Sequence, residues 1–196
     1  MEWGYKPVKN YEIDVCGVKR TLPFIAINDT LAFASFVVIS DTELVRAAAA
    51  ELVKKIPADV DILVTAEAKG IVLCYELSRL LNMKCFVVAR KSVKSYMRNF
   101  VGGEVNSITT KGTQKLILDG VDADRVRGKR VCLVDDVIST GESIKALEEL
   151  VKEAGGNVVS RVAILAEGDA AKRTDIAFLE RLPLFEKDEN GEYQEI

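Results

Sequence analysis

The residues best suited to binding a ligand are two adjacent carboxylates and the short turn of small residues that follows them. Residues 131–143 read Val-Cys-Leu-Val-Asp-Asp-Val-Ile-Ser-Thr-Gly-Glu-Ser. Main-chain N–H groups of such a turn, at the start of a helix, favour a phosphate dianion. Asp135 and Asp136 would repel that anion and instead suit the hydroxyls of a pentose and a hydrated Mg²⁺. The run therefore predicts a receptor for a phosphorylated sugar that carries a metal-bound group. Its phosphate-binding residues are Ser139, Thr140, Gly141, Glu142 and Ser143.

The flanking residues predict the elements that position this turn. The four apolar residues 131–134 are typical of a short strand buried on both faces. From Ile144 to Ala154 apolar residues recur at helical spacing, and Gly155-Gly156 ends the pattern. We expect the two carboxylates at the end of a strand and the turn at the start of a helix.

A second loop occupies the same place after an earlier strand. Residues 61–66 read as a buried strand and residues 71–81 as a helix. In parallel sheets the ligand crevice lies outside the carboxyl ends of the strands, so both loops should face one crevice. The loop's N–H groups, glycine and cation suit pyrophosphate. It consists of Glu67, Ala68, Lys69 and Gly70.

The rest of the pattern alternates strands and helices, which predicts an α/β fold whose mostly parallel central sheet carries helices on both faces. We further expect an N-terminal hairpin (11–15 and 19–27) and a helix that is capped by Asp41 and ends at Pro57. Strands are expected at 84–89 and 158–166, with a long loop at 91–106 and a hairpin of 107–110 and 114–118 between them. Residues 186–196 are expected to form a polar, loosely held tail.

Composition limits the function classes. The chain has 196 residues, the length of one domain, and a net charge of −3, which argues against general nucleic-acid binding. It contains no histidine, which excludes a Ser-His or Cys-His catalytic pair. No signal peptide and no membrane span is apparent. The four cysteines suggest buried free thiols in a reducing cytoplasm. They are Cys16, Cys74, Cys85 and Cys132.

The 131–143 run resembles the phosphoribosyl-pyrophosphate (PRPP) signature of the type I phosphoribosyltransferases, and the chain is most similar to the adenine and xanthine group. The resemblance implies a single domain, 1–196, with a small N-terminal hood (1–40), a mobile flap loop with its hairpin (91–118) and a homodimer. It implies transfer of phosphoribose from PRPP to adenine or a 6-oxopurine such as hypoxanthine or xanthine, in purine salvage, with Mg²⁺ as cofactor.

The same resemblance assigns roles to individual residues. Asp135 and Asp136 would hold the ribose hydroxyls near a Mg²⁺ bound mainly through PRPP and water, and Lys91 would start the catalytic flap. The pyrophosphate would contact the 67–70 loop together with Arg90 and Lys94. Lys69 stands where the adenine enzymes have Arg, which keeps the charge but loses the bidentate grip.

Base recognition is the least readable part. The adenine enzymes have a sequence like Leu-Glu-Tyr-Gly in the flap hairpin, whereas residues 109–112 are Thr-Thr-Lys-Gly, without a carboxylate. Phe24 or Phe33 in the hood would stack on a purine or pack in the core. Three alternatives remain: orotate as the base, a PRPP-binding regulatory module without catalysis, and another kind of nucleotide-binding α/β protein.

Overall fold

The computed structural model describes residues 10–103 and 116–196. The strands are β1 (Asn10–Val15), β2 (Val18–Ala26), β3 (Leu31–Ala34), β4 (Ile62–Ala66), β5 (Val87–Ala89), β6 (Val101–Gly102), β7 (Ile117–Leu118), β8 (Arg130–Ile138), β9 (Asn157–Glu167), β10 (Glu180–Leu182), β11 (Leu184–Lys187) and β12 (Tyr193–Glu195). The helices are α1 (Thr42–Leu52), α2 (Gly70–Leu80), α3 (Gly120–Val126) and α4 (Glu142–Glu153), with 3-10 helices at Val53–Lys55 and Gly168–Lys172.

A five-stranded parallel sheet carries the architecture. Its strand order is β10-β9-β8-β4-β5, and every neighbouring pair runs parallel. Leu63 and Cys132 point into a core shared with α1 and α2, whereas Val64 and Leu133 point into a second core with α3 and α4. The expectation of an α/β fold with helices on both faces is confirmed.

A second sheet joins the two ends of the described chain. It is antiparallel, with the order β1-β2-β3-β11-β12. The predicted N-terminal hairpin is present as β1 and β2. Phe24 packs against Phe185 and Tyr193, with ring centroids 4.6 and 4.9 Å apart. The expectation of a loosely held tail at 186–196 is wrong, because β12 pairs with β11 and the tail supplies part of this sheet.

Helix α1 ties the two sheets together. Asp41 caps the helix, as predicted, by accepting a hydrogen bond from the N–H of Leu44 at 3.1 Å. The same carboxylate accepts two hydrogen bonds from the guanidinium of Arg20 on β2, at 2.6 and 2.9 Å. The helix gives way to a 3-10 turn that ends before Pro57. In residues 10–103 and 116–196, no helix is long and apolar enough to cross a membrane.

Several predicted boundaries need correction. Strand β8 continues through the acidic pair to Ile138, so the carboxylates lie inside the strand rather than after it. Strand β5 has only three residues, Val87–Ala89, instead of starting at residue 84. Most of the predicted 107–118 hairpin lies outside the described residues, but its last strand is present as β7, paired with β6. Cys16 and Cys85 are exposed rather than buried.

Candidate functional site

The two carboxylates of β8 have different surroundings. Asp136 is buried, with 4% of its surface exposed. Asp135 is half-buried, and its Oδ1 accepts a hydrogen bond from the N–H of Asp136 at 2.9 Å. Burial and the adjacent Asp136 carboxylate raise the pKa of Asp135 to about 7. The Asp135 carboxyl therefore binds a proton more readily than an ordinary aspartate.

Lys69 joins the two predicted loops. Strands β4 and β8 are neighbours in the parallel sheet, so the loops that follow them lie at the same sheet edge. The ammonium Nζ of Lys69 lies 2.9 Å from Oδ2 of Asp136 and 3.4 Å from the carbonyl oxygen of Phe36. The structure thus brings the 67–70 loop, the acidic pair and the N-terminal region together in one crevice.

The 139–143 turn forms a small cradle at the start of α4. Gly141 adopts the left-handed conformation, with φ 83° and ψ 0°, and its carbonyl accepts the N–H of Lys145 at 3.0 Å. A cavity of about 40 Å³ lies inside the turn, beside Asp135. Glu142 is exposed, so its charge lies away from this cavity. The cavity is lined by Asp135, Val137, Ile138, Ser139, Thr140, Gly141, Ser143 and Ile144.

Arg173 lies directly against this turn, and sequence analysis missed it. An added Cβ on Gly141 would come within 2.5 Å of Nη1 of Arg173. Nε and Nη2 of the same guanidinium bind Asp175 at 2.9 and 2.7 Å, which fixes the plane of the group. Nη1 is therefore held beside the cradle, where a cation favours a bound anion.

The 67–70 loop is connected to the start of the predicted flap. The Glu67–Ala68 peptide bond is cis. Oε1 of Glu67 accepts the N–H of Lys91 at 2.6 Å, and Oε2 lies 3.2 Å from Nε of Arg90. Through these two contacts Glu67 anchors the segment that leaves β5. Gly70 packs against Thr65 Oγ1, where a larger residue would collide.

The predicted flap cations are not gathered around the acidic pair. Lys91 is exposed, and its contact with the site is made by its main-chain N–H. The ammonium of Lys94 donates to Oγ of Ser92 at 2.7 Å, within its own loop. Arg90 reaches Glu67. Of the predicted pyrophosphate cations, only Lys69 contacts the acidic pair in the described residues.

A larger cavity lies next to Lys69 and the turn, between the two sheets. Its volume is about 240 Å³, and its wall is about equally polar and apolar. Phe33 lines it, whereas Phe24 packs in the core of the antiparallel sheet. Glu167 enters it from the end of β9 and was missed, although the strand-end rule that located the other loops applies to it equally. The lining residues are Phe33, Ala34, Phe36, Lys69, Val137, Ser139, Glu167 and Leu182.

The acidic pair fits a Mg²⁺ that arrives with a substrate. No cluster of three or more His, Cys, Asp or Glu occurs in the described part of the chain, so a metal cage made of protein alone is absent there. Oδ2 of Asp136 is buried and receives no well-aligned hydrogen bond from residues 10–103 or 116–196. One or two carboxylates plus phosphate oxygens and water are the usual ligands of Mg²⁺.

The sequence of this chain matches a known protein family. The family model described as "Phosphoribosyl transferase domain" matches residues 40–184. The hypoxanthine/guanine phosphoribosyltransferase of Ferroglobus placidus is 34% identical over 133 residues, 68% of this chain and 67% of that protein. The enzyme of the same name from Methanothrix soehngenii is 33% identical over 130 residues, 66% of this chain but only 65% of its own length.

Solved structures agree on the fold. Adenine phosphoribosyltransferase from Thermoanaerobacter pseudethanolicus superposes with a TM-score of 0.60 at 24% identity, covering 88% of this chain and 95% of that one. The Rhodothermus marinus adenine enzyme gives 0.61 at 23% identity, covering 81% and 94%. At these identities the likeness concerns the fold.

Proposed function

The chain belongs to the phosphoribosyltransferase family, and from this premise we propose that it transfers the 5-phosphoribosyl group of PRPP to a purine base. The products are a purine nucleoside monophosphate and pyrophosphate. The names of its relatives, which include hypoxanthine, guanine and adenine enzymes, support a purine as the acceptor.

One observation carries the proposal: an anion-binding turn, an acidic pair and Lys69 share a single crevice. The turn has a left-handed Gly141 and a helix start, the geometry that accommodates a phosphate. Asp135 and Asp136 lie in β8, just before the turn, where a ribose bound by its 5′-phosphate would present its hydroxyls. Lys69 belongs to the loop that suits the pyrophosphate, and its ammonium lies 2.9 Å from Oδ2 of Asp136.

Each group then has a role that needs no covalent intermediate. The N–H groups and hydroxyls of 139–143, assisted by Arg173, hold the 5′-phosphate. Asp135 and Asp136 accept hydrogen bonds from the 2′- and 3′-hydroxyls, which orients C1 toward the base. Lys69 and Arg90 offset the charge that develops on the departing pyrophosphate, and the flap that begins at Lys91 excludes water. The base nitrogen attacks C1, the C1–O bond to pyrophosphate breaks, and the proton of that nitrogen passes to the departing pyrophosphate or to water.

Mg²⁺, bound with PRPP, would add positive charge at the leaving group, with Asp135 and Asp136 holding it through water. We further propose that the enzyme acts as a homodimer in the cytoplasm. Lys94 in this proposal belongs to the flap and reaches pyrophosphate only when the flap closes.

Pyrophosphate release tests the function. PRPP, Mg²⁺ and each of adenine, hypoxanthine, guanine and xanthine are offered in turn to the wild type and to Asp135→Asn and Asp136→Asn. We expect turnover with at least one purine and its loss in both variants, with unchanged circular dichroism. PRPP binding without turnover on any base would favour the regulatory module and contradict the proposal.

A further inference from the structure

The cavity of about 240 Å³ contains a carboxylate that the phosphoribosyl chemistry does not use. Glu167 is half-buried at the end of β9, and in the described residues its side chain forms no hydrogen bond or ion pair. Burial raises the pKa of Glu167, while the charge of Lys69 opposes that rise. A half-buried carboxylate beside the rings of Phe33 and Phe36 is costly unless a ligand pairs with it.

The polar groups around this cavity form a pattern of acceptors and donors. Glu167 offers two acceptor oxygens, Lys69 offers N–H donors, and the hydroxyl of Ser139 offers either. Phe33 and Phe36 supply aromatic surface on which a flat ring can stack. A planar base would thus be read along one edge, with its donors facing Glu167 and its carbonyl oxygen facing Lys69.

The four common purines differ along that edge. Guanine presents a ring N–H and an amino group side by side, next to a carbonyl oxygen. Hypoxanthine lacks the amino group, and xanthine replaces it with a second carbonyl that would face the carboxylate. Adenine places an unprotonated ring nitrogen beside its amino group, so an ionised carboxylate meets a lone pair.

We propose that Glu167 is the residue that determines base specificity, and that it selects guanine by accepting two parallel hydrogen bonds from the ring N–H and the 2-amino group. This inference rests on the proposed function and names its acceptor. Two parallel bonds to one carboxylate give geometric selectivity as well as affinity. A site built to bind a donor pair rejects a base that lacks it, because the buried acceptor is then left unpaired.

The test is a base panel with wild type and Glu167→Gln, measuring kcat/KM for guanine and xanthine at fixed PRPP. The amide keeps the size of Glu167 but turns an N–H₂ group toward the base. We expect guanine turnover to fall at least 10-fold and xanthine turnover to rise, so that the guanine-to-xanthine ratio drops by about 100-fold, the scale of one charged hydrogen bond on each substrate. Calorimetry with GMP and XMP supplies a readout without turnover, and the affinity for PRPP should not change.

Glu153→Gln is the matched control, because Glu153 is exposed near the far end of α4 and its loss removes the same charge. A wild type that prefers adenine, hypoxanthine or xanthine, or a Glu167→Gln variant with an unchanged ratio, would overturn the inference and leave the phosphoribosyltransferase function standing. Absence of pyrophosphate release with all four purines would overturn both.

Discussion

Lys69 and Asp136 form the contact that joins two strand-end loops, with Nζ of Lys69 2.9 Å from Oδ2 of Asp136. The carboxylate of Asp136 is 5% exposed and the side chain of Lys69 is 47% exposed, so water screens the lysine but hardly reaches the carboxylate. A buried charge that loses its partner is destabilising. The contact therefore stabilises the fold and fixes the ammonium of Lys69 beside the acidic pair.

Lys69→Met should lower the free energy of unfolding by about 2 kcal/mol. Breaking a fully buried pair typically costs about 3–5 kcal/mol, and the loss should be smaller here because Lys69 is half-exposed. Urea denaturation measures this. Asp136→Asn in the same background should recover most of the loss, since no unpaired charge remains. Lys145→Met, on the exposed surface of α4, is the control and should cost little. If Lys69→Met cost as much in the Asp136→Asn background as in the wild type, the pairing would be contradicted.

Gly141→Ala should weaken PRPP binding at least 10-fold. The residue has φ 83°, and the new Cβ would also displace Arg173 from the turn. Gly128→Ala is a matched control, because Gly128 has φ 70° with nothing within 4 Å of its added Cβ. Both variants should lose about 1 kcal/mol of stability from backbone strain, and calorimetry should find that only Gly141→Ala loses affinity for PRPP. Equal PRPP affinity in the two variants would count against the cradle.

The acidic pair should make stability depend on pH. The pKa of Asp135 is raised to about 7, from about 4 in the unfolded chain. Between these values the folded protein binds the extra proton, so the free energy of unfolding should decrease as pH rises from about 4 to about 7. Asp135→Asn should flatten this slope and be more stable than wild type above pH 7.

Urea denaturation at several pH values, with chelator and without PRPP, measures the difference between the two proteins. Asp124→Asn changes an exposed carboxylate and should follow the wild-type curve. A constant difference between wild type and Asp135→Asn across the range would show that Asp135 titrates normally.

The C-terminal strand should be needed for stability. Tyr193 of β12 packs on Phe24 with centroids 4.9 Å apart, across the antiparallel sheet. Tyr193→Ala should lower the free energy of unfolding by about 2 kcal/mol through lost burial and lost ring contact. Tyr75→Ala removes a ring that is 59% exposed and should cost under about 1 kcal/mol. Thermal or urea denaturation compares them, and equal losses would mean that β12 contributes nothing specific.

Local patterns predicted most of the central sheet, because strand, turn and helix signals repeat there at short range. Asp41, for example, was recognised as a cap from its position before an amphipathic run. The strand-end rule also placed Asp136 and Lys69 in one crevice, since that rule depends only on parallel order. The end of the apolar run at Val134 predicts that the carboxylates follow β8, yet the ladder to β9 continues through them.

Long-range pairing accounts for what was missed. The polar tail reads as unstructured until β3 and β11 are placed side by side, and that pairing joins Phe33 to Leu184, which lie far apart in the sequence. Arg173 follows an irregular 3-10 turn with no periodic pattern, so nothing local places it against Gly141. Glu167 could have been found from the sequence, because it directly follows the predicted strand 158–166 and the strand-end rule applies to it.

Glu67→Ala should release the start of the flap segment. Oε1 of Glu67 accepts the N–H of Lys91 at 2.6 Å, and Oε2 pairs with Arg90 at 3.2 Å. Loss of both contacts should speed hydrogen exchange of the Lys91 amide at least 10-fold and weaken pyrophosphate binding, because Arg90 is no longer held. Glu67→Gln keeps an acceptor oxygen, so exchange at Lys91 should stay nearer the wild-type rate while the charge is lost.

NMR-detected exchange and calorimetry with pyrophosphate measure these two effects separately. Glu51→Ala, which breaks an exposed pair with Lys54, should change neither. Unchanged exchange at Lys91 in Glu67→Ala would show that this residue is held by other contacts, and that Glu67 does not couple the 67–70 loop to the flap. Faster exchange together with unchanged pyrophosphate affinity would place the role of Glu67 in the flap alone.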